Sequence, residues 1–247
     1  MAERVALVTG ASGNLGSAIV EQLAREGCAI AVHYHSNHPS ELVEMLTSRS
    51  VRHVLVQADL SDAGEAGVAV DQAVSALGPI DIVVNNAADQ SVGRLSDLTS
   101  AEWAHMLQAT FLSAVHVTSR AVTSMPDGGA IVTVSSVEAL AAFPAHAHYA
   151  AAKAALVSYT RSLALELAPR RIRANTVAAG LIEREGLAQS WPQGHSWWTQ
   201  SAPLGRPVTA QEVAATVAFL AGEGAAGITG ALVPVDGGWS ASARAPF

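Results

Sequence analysis

Cysteine and lysine are the side chains that this 247-residue chain nearly lacks. Its single cysteine, Cys28, cannot form a disulfide within the chain, which suits a reducing compartment. Because Cys28 lies in the apolar run "CAIAV", we interpret it as a small buried hydrophobic residue. The 14 lysines and arginines comprise one lysine, Lys153, and thirteen arginines. This contrast indicates that position 153 requires an ammonium group in particular.

Long apolar segments and clusters of basic residues are also missing. No hydrophobic stretch approaches the length of a membrane span, and the N-terminus lacks the basic region and apolar core of a signal peptide. The formal net charge is −7, and the arginines form no basic stripe. Nucleic acid is therefore not an expected partner. We predict a soluble, cytoplasmic protein that binds neither membranes nor nucleic acid, and we assign no metal site.

Apolar runs typical of strands alternate with helical patterns along the chain. Consecutive Val and Ile residues predict strands that are covered by helices on both faces. Capping-box spacings predict two helix starts, at Thr99 with Glu102 and at Thr209 with Glu212. The sequence therefore predicts an α/β fold, a doubly wound parallel sheet of seven strands in one domain. The predicted strands are residues 4–9, 29–34, 53–58, 80–85, 130–135, 172–177 and 231–236, and the domain is residues 1–247.

The first predicted strand runs into the glycine-rich stretch "TGASGNLG". A strand followed by glycines and a helix brings backbone N–H groups and a helix N-terminus to a phosphate, because glycine permits close approach. An ordinary tight turn is the alternative. The phosphate loop is favoured because a second strand ends about 20 residues further on, as a dinucleotide site requires. The residues expected to contact the dinucleotide here are Gly10, Ser12, Gly13, Asn14, Leu15 and Gly16.

Six motifs of the chain resemble those of the short-chain dehydrogenase/reductases in order and spacing. They are "TGASGNLG", "ADL" at 58–60, "NNAA" at 85–88, "VSS" at 134–136, "YAAAK" at 149–153 and "VDGG" at 235–238. The resemblance covers nearly the whole chain and implies a Rossmann fold, a homo-oligomer (dimer or tetramer) and a nicotinamide cofactor. It implies carbonyl reduction or alcohol oxidation by Ser136, Tyr149 and Lys153. It also implies cofactor contacts at Asp59, Leu60, Asn86, Ala87, Ala88, Tyr149, Lys153, Ala179, Gly180 and Ile182.

Tyr149 and Lys153 are one helical turn apart, on the same face of a predicted helix. In carbonyl reduction Tyr149 would protonate the oxygen, yet the pKa of a free tyrosine is about 10. A unit charge at about 4 Å with an effective dielectric near 20 supplies about 4 kcal/mol, enough to shift this pKa by about three units. We therefore expect Lys153 to make Tyr149 more acidic. The alternative is an exposed pair of helix residues without catalytic function.

Ser136 precedes Tyr149 by 13 residues, the separation usual in the family. Its hydroxyl is expected to donate a hydrogen bond to the substrate oxygen as charge develops there. The neighbouring Ser135 is the competing candidate.

Several residues depart from the pattern of the family. Asn14 replaces a glycine in the loop, and asparagine tolerates a left-handed backbone better than most residues. Ala88 replaces the glycine of "NNAG", and Arg184 stands where a threonine commonly contacts the carboxamide. Thr110 replaces the asparagine that usually holds a water in the proton relay, and we include it among the catalytic candidates. These changes keep the hydride chemistry plausible but put its efficiency in question.

The choice of cofactor depends on the end of the second strand. An acidic residue there would bind the ribose hydroxyls and repel a 2′-phosphate, but "VHYHSNH" contains none. The neutral donors Tyr34, His35, Ser36 and Asn37 favour NADPH over NADH, although this turn contains no arginine. We interpret the flanking histidines, His33 and His38, as solvated loop residues.

Three of the five tryptophans fall in residues 183–205, which resemble the variable substrate loop of the family. Trp191, Trp197 and Trp198 predict a lid over an apolar or planar ligand, or a contact with a neighbouring subunit. The other residues expected at the substrate are Ser136, Glu138, Phe143, His146 and His148.

These observations predict an NADPH-dependent reductase of a ketone or related carbonyl in an apolar or planar metabolite, with Tyr149 as the general acid and base. A dinucleotide-binding sensor or scaffold without turnover is the alternative from another class, motivated by Thr110, Ala88 and Arg184. A lyase or dehydratase on the same fold is a third possibility.

Overall fold

The structure, a computed structural model, describes residues 3–241. The remaining residues of the predicted single domain, 1–2 and 242–247, lie outside this range. Seven strands in the described range form one sheet. They are β1 (Val5–Val8), β2 (Ala29–Tyr34), β3 (His53–Gln57), β4 (Ile82–Asn85), β5 (Ala130–Ser136), β6 (Arg173–Ala179) and β7 (Leu232–Val235).

All neighbouring strands are parallel, in the order β3-β2-β1-β4-β5-β6-β7. The predicted doubly wound sheet of seven strands is thus confirmed, and each strand overlaps its predicted run. The chain places β2 and β3 on one side of β1, and β4 to β7 on the other. The order therefore reverses between β1 and β4, and ligands of such sheets bind at the carboxyl ends of the strands near this point.

The described residues contain nine α-helices, which connect the strands of the sheet. They are α1 (Asn14–Arg25), α2 (Ser40–Ser48), α3 (Ala63–Leu77), α4 (Ser100–Met106), α5 (Ser113–Ala121), α6 (Ala147–Glu166), α7 (Leu187–Ser190), α8 (Pro192–Ser201) and α9 (Ala210–Ala221). The capping boxes predicted for α4 and α9 are both present. None of the helices in residues 3–241 combines the length and apolarity that a membrane span requires.

Two hydrophobic clusters cover the two faces of the sheet. Ala6 and Val8 of β1 belong to a cluster with α1, α2 and α9, whereas Val5 and Leu7 belong to one with α3, α5 and α6. Alternate residues of a strand point to opposite faces, so consecutive apolar residues are needed when both faces are buried. Cys28 lies in the first cluster, and burial raises the pKa of its thiol, which agrees with a packing role.

The predicted substrate loop, residues 183–205, is largely helical, because α7 and α8 occupy most of it. Pro192 is the first residue of α8, where its missing N–H costs no helical hydrogen bond. Trp197 and Trp198 lie on α8, whereas Trp191 lies between the two helices, and a role of this segment as a lid stays a prediction.

Candidate active site

The glycine loop connects β1 to α1 in a conformation that two of its glycines make possible. Gly10 has a φ of +63°, and a Cβ atom there would lie 2.9 Å from the Ala87 Cα. A Cβ at Gly16 would lie 2.1 Å from the Gly10 carbonyl oxygen, which no side chain can tolerate. Gly13 is the N-cap of α1, and the first turn contains no acidic residue. The N–H groups of this turn can therefore bind an anion, so the loop fits the pyrophosphate of a dinucleotide.

Asn14 does not need the left-handed backbone that we expected for it. It is the first residue of α1, and the only non-glycine residues with positive φ in the described range are Ser50, Ala145 and Arg171. Its side-chain amide instead donates a hydrogen bond of 3.2 Å to the carbonyl oxygen of Glu183. The glycine loop is thereby tied to the segment that follows β6.

Thr9 and Asn86 hold the glycine loop against the end of β4. The Thr9 hydroxyl donates to the Val84 carbonyl and accepts hydrogen bonds from the backbone N–H groups of Asn86 and Ala87, at 2.9 and 3.0 Å. The side-chain amide of Asn86 donates to the carbonyl oxygens of Thr9 and Gly10. The predicted cofactor residue Asn86 thus fixes the loop from the other side of the switch point.

A cavity of about 360 Å³ lies at the carboxyl ends of β2, β3 and β4. Five predicted cofactor residues line it, namely His35, Asp59, Leu60, Ala87 and Ala88. Hydrogen bonds from the hydroxyl and N–H of Ser61 lower the pKa of the Asp59 carboxyl, so this group is negatively charged at neutral pH. The apolar side chains of Leu60, Ala87 and Ala88 beside the Asp59 carboxylate suit the adenosine half of a dinucleotide.

Two polar residues of this cavity were missed by the sequence analysis. Asp89 Oδ2 lies 3.2 Å from His105 Nε2, and both side chains line the cavity. His105 is on α4, outside every recognised motif, so the sequence contains no signal that brings it here.

The turn after β2 presents neutral polar groups, as predicted. His35, Ser36 and Asn37 are exposed, and the Tyr34 hydroxyl lies 3.4 Å from the side-chain oxygen of Gln57. His38 is exposed, in agreement with the prediction, whereas His33 is not a solvated residue. Only 3% of its surface is exposed, because it belongs to the interior of β2.

Ser136, Tyr149 and Lys153 meet where the end of β5 packs against α6. All three are buried, which contradicts the alternative of an exposed helix pair. The Ser136 side chain hydrogen-bonds Tyr149, and Lys153 Nζ lies 5.6 Å from the centre of the Tyr149 ring. Lys153 Nζ donates to the Val134 carbonyl at 2.9 Å. Ser135 is committed elsewhere, since its hydroxyl donates to the backbone carbonyl of Lys153 at 2.9 Å. The geometry therefore favours Ser136 over Ser135.

Burial dominates the electrostatics of this group. It raises the pKa of Tyr149, the Glu138 carboxylate raises it further, and the hydrogen bond from Ser136 opposes the shift. The lower pKa that we expected from the Lys153 charge is therefore not observed. Burial also lowers the pKa of Lys153 to about 8, against the attraction of Glu138. Desolvation outweighs the pair interaction because both groups are removed from water at once.

Thr110 is fully buried in a six-residue π-helical segment, Leu107–Leu112, between α4 and α5. Its hydroxyl accepts a hydrogen bond from the Asp89 N–H at 3.1 Å and lies 3.4 Å from Met106 Sδ. Met106 packs in one cluster with Tyr149. Thr110 thus supports the wall behind Tyr149, and its part in a proton relay stays a prediction.

Glu138 and His146 form a polar pair beside Tyr149. His146 Nδ1 hydrogen-bonds Glu138 Oε1 at 3.1 Å, and its ring lies edge-on to the Tyr149 ring. Glu138 Oε2 is buried and lies 3.0 Å from His146 Nδ1, a contact that is not aligned as a hydrogen bond. Burial raises the pKa of Glu138, although His146 and Lys153 oppose this shift.

His148 does not join the wall that we predicted from its position before Tyr149. It is 1% exposed and packs edge-on against Trp103 of α4, at 6.0 Å between ring centres. Adjacent helix residues project about 100° apart, so His148 cannot face the same side as Tyr149.

Four aromatic residues form a cluster next to the catalytic group, which we call the aromatic cluster: Phe143, Trp197, Trp198 and Trp239. Trp198 stacks on Trp239 at 5.4 Å, and both pack with Val137, the residue after Ser136. Trp197 is 41% exposed, so an aromatic face reaches the surface here. Trp239, which follows the "VDGG" motif, was missed by the sequence analysis.

Trp191 and Gly180 complete this side of the site. Trp191 is half-exposed and lies over Gly194 of its own segment, apart from the aromatic cluster. A Cβ at Gly180 would lie 2.7 Å from Trp198 and 2.8 Å from the Asp236 Cα. Ala179 ends β6 beside it, and Ile182 forms a parallel bridge with Val208.

Comparison with known proteins agrees with this geometry. Residues 10–240 match a family model described as enoyl-(acyl carrier protein) reductase. The chain is 35% identical to a 3-oxoacyl-[acyl-carrier-protein] reductase of Staphylococcus aureus, over 94% of this chain and 96% of the relative. A solved short-chain dehydrogenase/reductase of Serratia marcescens is 35% identical and superposes with a TM-score of 0.91, covering 96% and 98% of the two chains.

The chain belongs to the short-chain dehydrogenase/reductase family. Members of the family are NAD(P)-dependent oxidoreductases. The angucycline C-6 ketoreductase LanV, solved with bound NADP, is 31% identical with a TM-score of 0.91, over 97% of this chain and 96% of that one. This short-chain dehydrogenase/reductase is accordingly an enzyme that uses a nicotinamide dinucleotide.

The glycine loop gives a direct test of this backbone geometry. Gly16→Ala places a methyl group within 2.1 Å of the Gly10 carbonyl, so we expect a loss of several kcal/mol in unfolding free energy. Gly13→Ala is the control, because its Cβ meets only the Gly10 oxygen, at 3.6 Å. Urea denaturation measures both variants. Equal losses would contradict the loop conformation described here.

Proposed function

We propose that the protein is an NADPH-dependent ketoreductase that reduces a carbonyl group of an apolar or planar metabolite. One observation carries this proposal: the buried side chains of Ser136, Tyr149 and Lys153 lie together at the end of β5. Tyr149 acts as the general acid, Ser136 orients the substrate oxygen, and Lys153 supplies the positive charge beside them.

The dinucleotide would lie between the glycine loop, the cavity beside Asp59 and the end of β6. When bound, it would supply the hydride. The N-terminus of α1 would bind its phosphates, and Ala87 and Ala88 would line its adenosine half. Lys153 Nζ has further donors besides its bond to Val134, and these can bind ribose hydroxyls.

The raised pKa of Tyr149 keeps its hydroxyl protonated at neutral pH. A protonated tyrosine can give its proton to the alkoxide that develops during ketone reduction. Glu138 contributes to this protonation state, because its negative charge raises the pKa of Tyr149.

The surroundings of Tyr149 also support a substrate class. Phe143 and Trp197 offer aromatic surface, which suits a flat or apolar carbon skeleton. The buried Glu138 Oε2 has the imidazole of His146 at 3.0 Å but no well-aligned hydrogen bond, so a hydroxyl group on the substrate would complete its hydrogen bonding. A hydroxylated aromatic ketone meets both conditions. This substrate class is consistent with the relative LanV, which is named an angucycline C-6 ketoreductase.

The preference for NADPH follows from the absence of a carboxylate in the turn after β2. The groups available to a 2′-phosphate are the exposed side chains of His35, Ser36 and Asn37. Assembly as a dimer or tetramer and a cytoplasmic location stay predictions.

A ketoreductase and a sensor without turnover respond differently to one substitution. Tyr149→Phe keeps the ring but removes the transferable proton, so reduction of a panel of hydroxylated aromatic ketones should fall at least about a thousandfold. Tyr159→Phe, the same change further along α6, should have little effect. Consumption of NADPH is followed by its absorbance. If the wild-type protein binds NADPH but reduces no ketone of the panel, the sensor is favoured and the ketoreductase proposal fails.

The pKa of Lys153 predicts the pH dependence of the reaction. The ammonium is protonated below a pKa of about 8, so kcat/KM for ketone reduction should be constant at neutral pH and fall as the pH rises above about 8. Lys153→Arg should lower turnover at least about tenfold, because the guanidinium differs in shape and donor geometry. In this variant kcat/KM should also no longer fall above about pH 8, so its pH profile should lack the alkaline limb. Arg161→Lys, at an exposed position of α6, is the control for an exchange between the two cations. An unchanged limb in Lys153→Arg would assign it to another group.

Cofactor preference can be reversed by charge alone. Tyr34→Asp should weaken NADPH binding relative to NADH, because the carboxylate repels the 2′-phosphate and accepts the ribose hydroxyls. Tyr34→Asn has a similar size without the charge and should keep the wild-type preference. Fluorescence titration with both cofactors gives the two dissociation constants. Equal affinities for NADPH and NADH in the wild-type protein would contradict the assignment.

A further inference from the structure

His33 joins two segments of the dinucleotide site through both nitrogens of its ring. The backbone N–H of Gly10 donates to His33 Nδ1 at 3.0 Å, and His33 Nε2 lies 3.1 Å from the Ala58 carbonyl oxygen. Gly10 opens the glycine loop, whereas Ala58 directly precedes Asp59 in the cavity wall. One buried side chain of β2 therefore connects the loop that follows β1 with the segment that follows β3.

These two hydrogen bonds fix the protonation state of the ring. A backbone N–H can only donate, so Nδ1 has to carry a lone pair; a carbonyl oxygen can only accept, so Nε2 has to carry the proton. The arrangement requires the neutral Nε2–H tautomer. With a second proton on the ring, the Nδ1–H and the Gly10 N–H would face each other as two donors, and the Gly10 amide would lose its acceptor.

The titratable side chains around His33 are two carboxyl groups and two imidazoles. His35, Asp59, Asp89 and His105 line the same cavity. Burial lowers the pKa of His33, the hydrogen bond to Ala58 and the charge of Asp59 raise it, and His35 lowers it. The net direction is down from the ordinary value, so the ring is neutral at pH 7 and becomes charged in acid.

We propose that neutral His33 is a positioning residue that holds the glycine loop in its dinucleotide-binding conformation, and that protonation of His33 releases the loop and weakens dinucleotide binding. The Gly10 amide is the point of action, because Gly10 adopts the left-handed φ of +63° that starts the loop. The neighbouring Ala11 N–H donates to the His33 carbonyl at 2.8 Å, so side chain and backbone of one residue hold consecutive loop amides. The inference concerns cofactor affinity and does not depend on which carbonyl compound is reduced.

Two substitutions separate the hydrogen bonds of His33 from its titration. His33→Asn keeps an acceptor near the position of Nδ1 but cannot be protonated, whereas His33→Leu fills a similar volume and removes both hydrogen bonds. His53→Asn is the matched control, since His53 begins β3 at the amino end of the sheet, away from the cavity. The probe is NADP⁺, titrated calorimetrically between about pH 5 and pH 8, where histidine changes charge.

We expect His33→Leu to raise the Kd for NADP⁺ about tenfold at neutral pH, and His33→Asn to stay within about threefold of the wild type. In acid, the Kd of the wild-type protein and of His53→Asn should rise further than that of His33→Asn. The 2′-phosphate itself titrates with a pKa of about 6, and this affects all variants equally. The test is therefore the difference between the pH profile of the wild type and that of His33→Asn. Identical pH profiles for wild type and His33→Asn would overturn the proposal, as would wild-type affinity in His33→Leu.

Nuclear magnetic resonance reads the tautomer without any cofactor or substrate. The chain has nine histidines, and the His33 ring signals are those lost in His33→Asn. Long-range proton–nitrogen spectra at neutral pH should give the Nε2–H pattern for this ring. An Nδ1–H tautomer or an imidazolium would overturn the proposal, even if His33→Leu fails to fold.

Discussion

The burial of one ammonium group is the constraint on which the active site depends. Lys153 is 3% exposed, yet a charge removed from water costs several kcal/mol unless neighbouring groups compensate. The Val134 carbonyl accepts a hydrogen bond from one of its three N–H groups, and Glu138 provides the opposite charge. These two residues lie before and after Ser136, so the chain segment that compensates Lys153 also presents the serine that we propose to be catalytic. The pKa of Lys153 is lowered to about 8, which shows that these contacts offset only part of the desolvation cost.

The same burial explains why the site has the character of an acid. Removing Tyr149 from water stabilises its neutral form, and the carboxylate that keeps Lys153 charged acts on Tyr149 in the same direction. A pairwise estimate with Lys153 alone predicts a more acidic tyrosine, because it treats the two groups as an isolated pair in a medium of high effective dielectric. The two side chains are instead desolvated together, and the loss of solvation exceeds the attraction.

The dinucleotide side depends on the glycine loop being held by side chains from several strands. Thr9 of the loop and Asn86 after β4 fix one flank, and His33 of β2 fixes the other. Asn14 adds a hydrogen bond to the Glu183 carbonyl, in the segment that follows β6. The glycine loop has few large side chains of its own. Its conformation therefore depends on hydrogen bonds from these neighbours and on the glycines, which permit close backbone contacts.

The sequence alone determined the sheet and the glycine loop, and it indicated the residues of the candidate catalytic group. Apolar runs of Val and Ile define buried parallel strands, and the unique Lys153 one helical turn from Tyr149 indicates a specific chemistry, because both signals are local in the chain. Only the tertiary structure decided the state of each side chain. It buried His33, which the sequence presents as part of a polar turn, and it turned His148 towards Trp103. It also brought Trp239 onto Trp198 and His105 to Asp89, pairs that no spacing links. Solvation and packing depend on neighbours from distant segments, and these are set by how the helices and strands assemble rather than by the residues on either side in the sequence.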